Sequence, residues 1–380
     1  MNFSISVQDM QEAIVYLKPV LNRGSDELAN LLRIEVTEDQ IVFGASNSIT
    51  SIRVVAQPSE VQEAGAVLTP AKQLVSHLNT FSIWNGRSGT KDFHFHIKND
   101  KFLISSETVY ESGVKSKKSL NYRFLDPNRF RGMPAFTGEA DFSLNVGRLK
   151  PVFKDVLSAI TMDNNKEALR GAYLSLSKNT LHLVGTDGKR IAEYVEPALF
   201  PGAFPEDLSF TMDYVFASSL PAVFKQEETI EFKLDNKRIF AHSGKVTLSG
   251  KLIDRDFPKY TPYFENYSDE MQLSKMEFMD NLAAAIPLLN VDDYNRFIIK
   301  MVPGKLILSA ENFNNECELS EQHDFEQEFH VNGVFLDSCL KALQGNELLM
   351  KWYKDPATEY LVFETPDAPA LRTLLLTLKH

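Results

Sequence analysis

One pattern restarts three times along this chain, and no other feature constrains the fold as much. A short alternating strand leading into an amphipathic helix begins at Phe3-Ser4-Ile5-Ser6-Val7, again at Phe142-Ser143-Leu144-Asn145-Val146, and again at Met271-Gln272-Leu273-Ser274-Lys275, with spacings of 139 and 129 residues. A period that long marks three copies of a whole domain rather than a solenoid of small repeats. The copies run over residues 1–135, 136–266 and 267–380, with turn-rich or polar joints near Gly132-Met133-Pro134-Ala135 and Glu265-Asn266-Tyr267-Ser268. Three like domains in one chain suggest a curved or ring-like assembly.

Each copy reads as two rounds of strand, helix and further strands. In the first, Met10, Ile14, Leu17 and Leu21 recur at helical spacing over a helix expected from Gln8 to Val20. Leu149, Val152, Phe153, Val156 and Ile160 form the same stripe in the second copy, and Phe278, Leu282, Ala285, Ile286 and Leu289 in the third. Pro19 and Pro287 stand at one offset, where a proline ends or kinks a helix. A strand pair with a tight turn follows, at Thr37-Glu38-Asp39, Ser177-Lys178-Asn179 and Val302-Pro303-Gly304. The alternating apolar and polar flanks are those of half-buried antiparallel strands. Second helices are expected to begin near Pro70-Ala71-Lys72, Tyr214-Val215-Phe216 and Asn332-Gly333-Val334, and Thr229–Leu234 places Ile230, Phe232 and Leu234 on one strand face. The fold class is α+β, with two helices per copy packed on antiparallel sheets.

The 380 residues are 43% hydrophobic, ordinary for a globular protein, and no apolar run reaches the roughly 20 residues a membrane helix needs. The opening Met1-Asn2-Phe3-Ser4-Ile5 has neither a basic nor an apolar leader segment. Cys317 and Cys339 lack metal-type spacing and read as buried thiols of a reducing cytoplasm. Net charge is −11, distributed as +1, −2 and −10 over the three copies. So acidic a chain is a poor candidate for gripping nucleic-acid phosphates over its whole surface, but it is compatible with a few basic residues on one face. The asymmetry also favours a meeting of the first domain with the third domain of another copy.

Candidate chemistry is sparse. His94 and His96 share a strand face but lack a third ligand nearby, so no metal site is expected. Thr186-Asp187-Gly188-Lys189-Arg190 lacks the glycine spacing of a nucleotide loop and does not lead into a helix. No nucleophile–base set shows a local signature, so neither enzymatic activity nor a cofactor is expected.

Two segments carry a resemblance. Leu181–Ala192, with its Gly185-Thr186-Asp187-Gly188-Lys189-Arg190 centre, and Gly250–Tyr260, with Asp254-Arg255-Asp256-Phe257-Pro258, are similar to signatures of the bacterial DNA polymerase III beta sliding clamp family. Met1–Ile5 and Leu68–Lys72 resemble the same family. The resemblance implies a DNA clamp fold in which two chains close head to tail into a six-domain ring. Helices line the hole and duplex DNA threads it. It further implies a cytoplasmic, non-enzymatic homodimer, opened by a clamp loader, that tethers a DNA polymerase. Enclosure suits sliding because phosphate contacts are sequence-blind and exchange readily. The alternative is a clamp-like interaction scaffold that no longer encircles DNA.

The resemblance also implies a partner-peptide pocket built from Leu169, Thr186, Gly188, Lys189, Arg190, Ile191, Pro258, Tyr263, Leu374 and Leu376. An apolar groove with a polar rim suits a short peptide with hydrophobic anchors, although Leu169, Ile191, Leu374 and Leu376 also read as ordinary core residues. Lys189 stands where the family often has histidine, and the tail Leu374–His380 lacks the family's methionine- and proline-containing ending. That divergent tail and the long first domain are compatible with a viral member. For DNA, Arg23 and Lys72 match basic positions of the family, and the helix reading adds Lys18, Arg148, Lys150, Lys154 and Lys225. Met212-Asp213-Tyr214 departs from an expected basic pair. Tyr110, Leu288 and Leu289 are the candidates for the dimer joint, with Lys115, Lys117 and Lys118 facing acidic groups across it.

Overall fold

The protein is described by a computed structural model, which covers residues 1–21, 30–47, 49–85, 91–110, 112–130, 134–177, 180–197, 207–225, 229–235, 237–319 and 326–379, with the side chains of 79–85, 148 and 197 excepted. Seven α-helices are present among them: α1 (Val7–Leu17), α2 (Ala71–Asn85), α3 (Val146–Ser158), α4 (Tyr214–Val223), α5 (Thr261–Glu265), α6 (Lys275–Ala285) and α7 (Gly333–Ala342). Six are the expected pairs, and the short α5 is additional. α1 ends at Leu17, three residues before the expected end, because Pro19 supplies no N–H to continue the ladder. The strand-to-helix junction is written the same way at the start of the first and third copies: Ser6 Oγ accepts the Asp9 N–H, and Ser274 Oγ accepts the Glu277 N–H. Asn332 caps α7 through the Phe335 N–H.

The chain forms two compact units, residues 1–150 with 215–252, and residues 151–214 with 253–380. The division passes through the middle copy, because strand pairing runs across the copy borders. In the first unit an eight-stranded antiparallel sheet has the order Phe142–Asn145, Thr229–Leu234, Arg238–Ser243, Val246–Lys251, Thr50–Ala56, Ile41–Ser46, Leu31–Val36, Gly65–Pro70. Its central pairing, Thr50 with Gly250 through Val54 with Val246, joins the first copy to the second. A five-stranded sheet, Glu60–Glu63, Asn2–Ser6, Asp92–Lys98, Lys101–Val109, Lys115–Tyr122, completes this unit.

The second unit repeats the plan. Its eight-stranded sheet has the order Leu208–Asp213, Gly171–Ser177, Thr180–Thr186, Arg190–Pro197, Leu371–Leu376, Glu359–Glu364, Glu347–Lys354, Asp269–Ser274. Arg190 with Leu375 through Tyr194 with Leu371 joins the second copy to the third. A four-stranded sheet follows: Phe313–Glu318, Lys305–Ala310, Arg296–Val302, Gln327–Asn332.

The helical stripes form the core. Met10, Ile14 and Leu17, then Leu149, Phe153 and Val156, then Phe278, Leu282 and Ala285 are all buried. Phe3 stacks on Phe95 at 4.8 Å, and Phe142 on its register partner Phe232 at 4.9 Å. Each such side chain contributes about 1.5–3 kcal/mol of burial, which is why the alternating and helical patterns fix the fold.

Candidate functional site: a peptide groove at a strand joint

The expected pocket residues all belong to the second unit, and they divide into a polar rim and an apolar floor. The rim is the turn between Thr180–Thr186 and Arg190–Pro197. Asp187 Oδ1 accepts the N–H groups of Lys189 (2.8 Å) and Arg190 (3.1 Å), while Thr186 Oγ1 accepts the Gly188 N–H and donates to Arg190 O. Gly188 has φ of +85°, the left-handed conformation that glycine adopts without strain. Leu169 is half-buried and reaches this turn: a Cβ on Gly188 would lie 3.5 Å from Leu169 Cδ1.

Arg190 is fixed on every side. Its guanidinium donates to Asp187 Oδ2 (3.1 Å), Ser338 Oγ (2.6 Å) and Ser158 O (2.6 Å), and lies 4.6 Å from the Phe335 ring centroid. Lys189 extends over the same ring at 5.9 Å and is exposed. Ser338 and Phe335 stand on α7, and sequence reasoning missed both because nothing near them resembles a motif.

The floor follows from strand register. Thr186, Ile191, Leu374 and Val362 lie in one row across four strands, each opposite the next. Tyr353, Tyr360 and Leu376 form a neighbouring row. Ile191 and Leu374 are buried with Val184, Tyr260, Phe264, Tyr360 and Val362, and Tyr173, Phe257, Tyr353 and Leu376 pack on that cluster. Ile191 and Leu374 are thus core side chains that form a floor. Tyr263, 38% exposed, stands edge-on to the buried Tyr360, which stacks on the half-buried Tyr353 at 5.1 Å. Pro258 is exposed at the entrance, beside Phe257 stacked on Tyr173 at 4.8 Å. Phe257 adjoins Pro258 in the quoted segment, so it was within reach of sequence reasoning. Tyr173, Tyr353 and Tyr360 needed the register.

In the row beside the floor, Glu193 is fully buried. His182 Nδ1 lies 2.9 Å from its Oε1, and Arg372 Nε donates to Oε2 at 2.7 Å. Burial works to raise its pKa, but the bonds from His182 and Arg372 and the charge of Arg372 outweigh it and hold the carboxyl below its ordinary range. Arg372 also lies 4.3 Å over Phe264. The Tyr260 phenol is pushed upward by burial and by the negative charge of Glu193.

The remaining expected residues are dispersed. Lys18 caps α1, Lys72 opens α2, Lys150 and Lys154 lie on α3, and Lys225 follows α4; all five are exposed. Arg23 and the Arg148 side chain lie outside the described residues. Tyr110 and Leu288 are exposed, whereas Leu289 is half-buried and packs over Gly333. His94 and His96 occupy one face, with His94 Nδ1 2.7 Å from Ser4 Oγ, and no group of three metal-ligating side chains occurs among the described residues.

The architecture is shared with solved proteins. Over the whole chain it is similar to the DNA polymerase III beta subunit of Thermotoga maritima, with a TM-score of 0.83, 17% identity and 99% of that chain covered. It is likewise similar to the Helicobacter pylori beta clamp bound to a DNA ligase peptide, with a TM-score of 0.77, 20% identity and full coverage of both chains. The fold is therefore that of a DNA clamp. Residues 143–259 match the family model of the DNA polymerase III beta subunit central domain. The beta sliding clamp of Chlamydia trachomatis is 24% identical over 321 residues, 82% of this chain and 70% of that one, and that of Proteus mirabilis is 21% identical over 328 residues, 84% of each. The middle of the chain thus matches the central domain of the DNA polymerase III beta subunit, and most of its length is similar to bacterial beta sliding clamps.

Proposed function

We propose that this chain is a DNA sliding clamp that closes around duplex DNA as a homodimer and tethers a DNA polymerase, its groove at Ile191 and Leu374 receiving partner peptides. One observation carries the ring. After the same turn, the strand Thr50–Ala56 of the first copy pairs with Val246–Lys251, the last strand the second copy places in the sheets. Arg190–Pro197 of the second copy pairs in the same way with Leu371–Leu376, the last of the third. The third copy's corresponding strand, Phe313–Glu318, is a sheet edge, and so is the first copy's last strand, Lys115–Tyr122. Repeating the rule joins these two edges between chains, and two such joints close a two-chain ring. Exposed Lys115, Lys117 and Lys118 then face exposed Glu316 and Glu318, with Tyr110, Leu288 and Leu289 beside the joint.

The three copies are taken to divide at 1–135, 136–266 and 267–380. Arg23, Lys18, Lys72, Arg148, Lys150, Lys154 and Lys225 are assigned to DNA, where dispersed cations give sequence-blind, readily exchanged contacts. The family is one of non-catalytic processivity factors, and no chemistry is assigned to this chain. No described helix is long and apolar enough to cross a membrane. A cytoplasmic location, a clamp loader and DNA ligase as a further peptide-bearing partner complete the proposal. The test is retention on DNA. The loaded protein is expected to stay on nicked circular duplex and to leave once that circle is linearised. Equal loss from both forms, with peptide binding intact, would favour the scaffold reading.

A further inference from the structure

Three separate segments supply the groove: the strand Arg190–Pro197, the strand Leu371–Leu376, and the 257–264 stretch leading into α5. All three converge on one carboxylate. Glu193 lies on the same strand face as Ile191, two residues on, directly opposite Arg372, just as Ile191 lies opposite Leu374. Tyr173, Val184, Glu193 and Arg372 form the row next to the floor row. Glu193 holds Arg372, which covers Phe264 of α5, and its charge acts on the phenol of Tyr260, the residue that caps α5. His182 takes its other oxygen. α5 is five residues long and has no side-chain cap bond of its own, so little else within it fixes the placement of Tyr263.

We propose that Glu193 is the positioning residue of the peptide groove, setting Tyr260 and Arg372 so that α5 and the Leu374–Leu376 strand meet at one geometry. This rests on the groove reading above. A buried carboxylate in a strand is costly to keep, and apolar side chains of similar size would serve stability as well. Its bonds to His182 and Arg372 give what an apolar side chain lacks, a fixed direction for each partner.

The experiment uses the full-length chain, a fluorescein-labelled DNA ligase peptide as probe, and 3-fluorotyrosine at position 260. In Glu193→Gln, peptide affinity is expected to fall about tenfold or more, because preorganisation of the groove is lost. The fluorotyrosine resonance, single in the parent, should broaden or split well below the melting temperature. The double variant Glu193→Leu with Arg372→Leu separates positioning from stability: it should melt close to the parent and still bind weakly. Unchanged affinity in Glu193→Gln, or affinity restored in the double variant, overturns the inference and leaves the groove standing. A parent chain that binds no peptide overturns the groove itself and this inference with it.

Discussion

The Arg190 guanidinium lies over Phe335, 4.6 Å from its ring centroid, while donating to Asp187, Ser338 and Ser158. It thereby ties the rim turn to α7. Arg190→Ala strips these bonds at once and leaves Asp187 with a largely buried, unmatched charge. We expect a loss of about 2–4 kcal/mol in stability and weaker peptide binding. Arg190→Lys keeps the charge but not the planar fork, and should recover less than half. Urea unfolding with peptide titration checks both.

The two glycines that flank Thr186–Asp187 matter for different reasons. A Cβ on Gly185 would sit 2.3 Å from the Val156 carbonyl oxygen, and that helix backbone has nowhere to go. Gly185→Ala should cost about 1–3 kcal/mol or more through overpacking. At Gly188 the space is free, with Leu169 Cδ1 at 3.5 Å, but φ is +85°. Gly188→Ala should cost about 1–2 kcal/mol from backbone strain alone. Gly188→Asn, which tolerates the left-handed region, should recover part of it, whereas no polar substitution rescues position 185. Melting temperatures distinguish the two cases.

Much of the fold was legible because burial writes itself as periodicity. Met10, Ile14 and Leu17 announced α1, and Ile230 with Phe232 announced a half-buried strand. What periodicity does not carry is which strand edge meets which. Nothing in Thr50–Ala56 says that its neighbour is Val246–Lys251, almost two hundred residues on, so the two continuous eight-stranded sheets were not foreseen. The proposed groove was legible where its residues lie in contiguous motifs, Thr186–Ile191 and Pro258. Tyr353, Tyr360, Phe335 and Ser338 enter it only through tertiary register. Glu193 left a signal of its own in the sequence: an acid between Ile191 and Val195 on the inward face of a strand.

Glu193 also makes acid stability a test of the site. Its folded pKa is depressed, so the stabilisation is fully present above the unfolded carboxyl value of about 4.3 and is lost as pH falls through the lower folded value. Parent and Glu193→Gln should therefore differ most near neutrality and converge in acid. Denaturant midpoints taken from pH 7 down to the acid transition should show a shallower descent for the variant. Parallel curves would place the pH dependence on other carboxyls.

The lysine assignments are separable by salt. Removing one cation from a phosphate should reduce the slope of log affinity against log salt by about 0.9 on linear duplex. Lys72→Ala, Lys154→Ala and Lys225→Ala are each expected to weaken binding uniformly across sequences and to flatten that slope. Lys259→Ala, an exposed lysine beside Pro258 and outside the DNA set, should leave the slope unchanged. Anisotropy titrations at several salt concentrations provide the measurement.

Asn47 repeats in the first unit what Asp187 does in the second, and the difference between the two joints predicts stoichiometry. Asn47 Oδ1 accepts the N–H groups of Ile49 and Thr50, as Asp187 accepts those of Lys189 and Arg190. The Lys251 N–H then donates to Ile49 O, as the Leu376 N–H does to Lys189 O. The floor is where they part. Opposite the strand after the turn stand Ser249, Gly250 and Lys251 in the first unit, but Leu374, Leu375 and Leu376 in the second. A joint floored by serine and lysine offers a peptide no apolar seat. One peptide per chain, two per dimer, should therefore saturate the protein in calorimetric titration. Leu376→Glu, which puts an unpartnered charge on the apolar floor, should abolish binding with a modest change in melting temperature, since Leu376 is only half-buried. Lys251→Glu at the matching position should leave peptide binding unaltered.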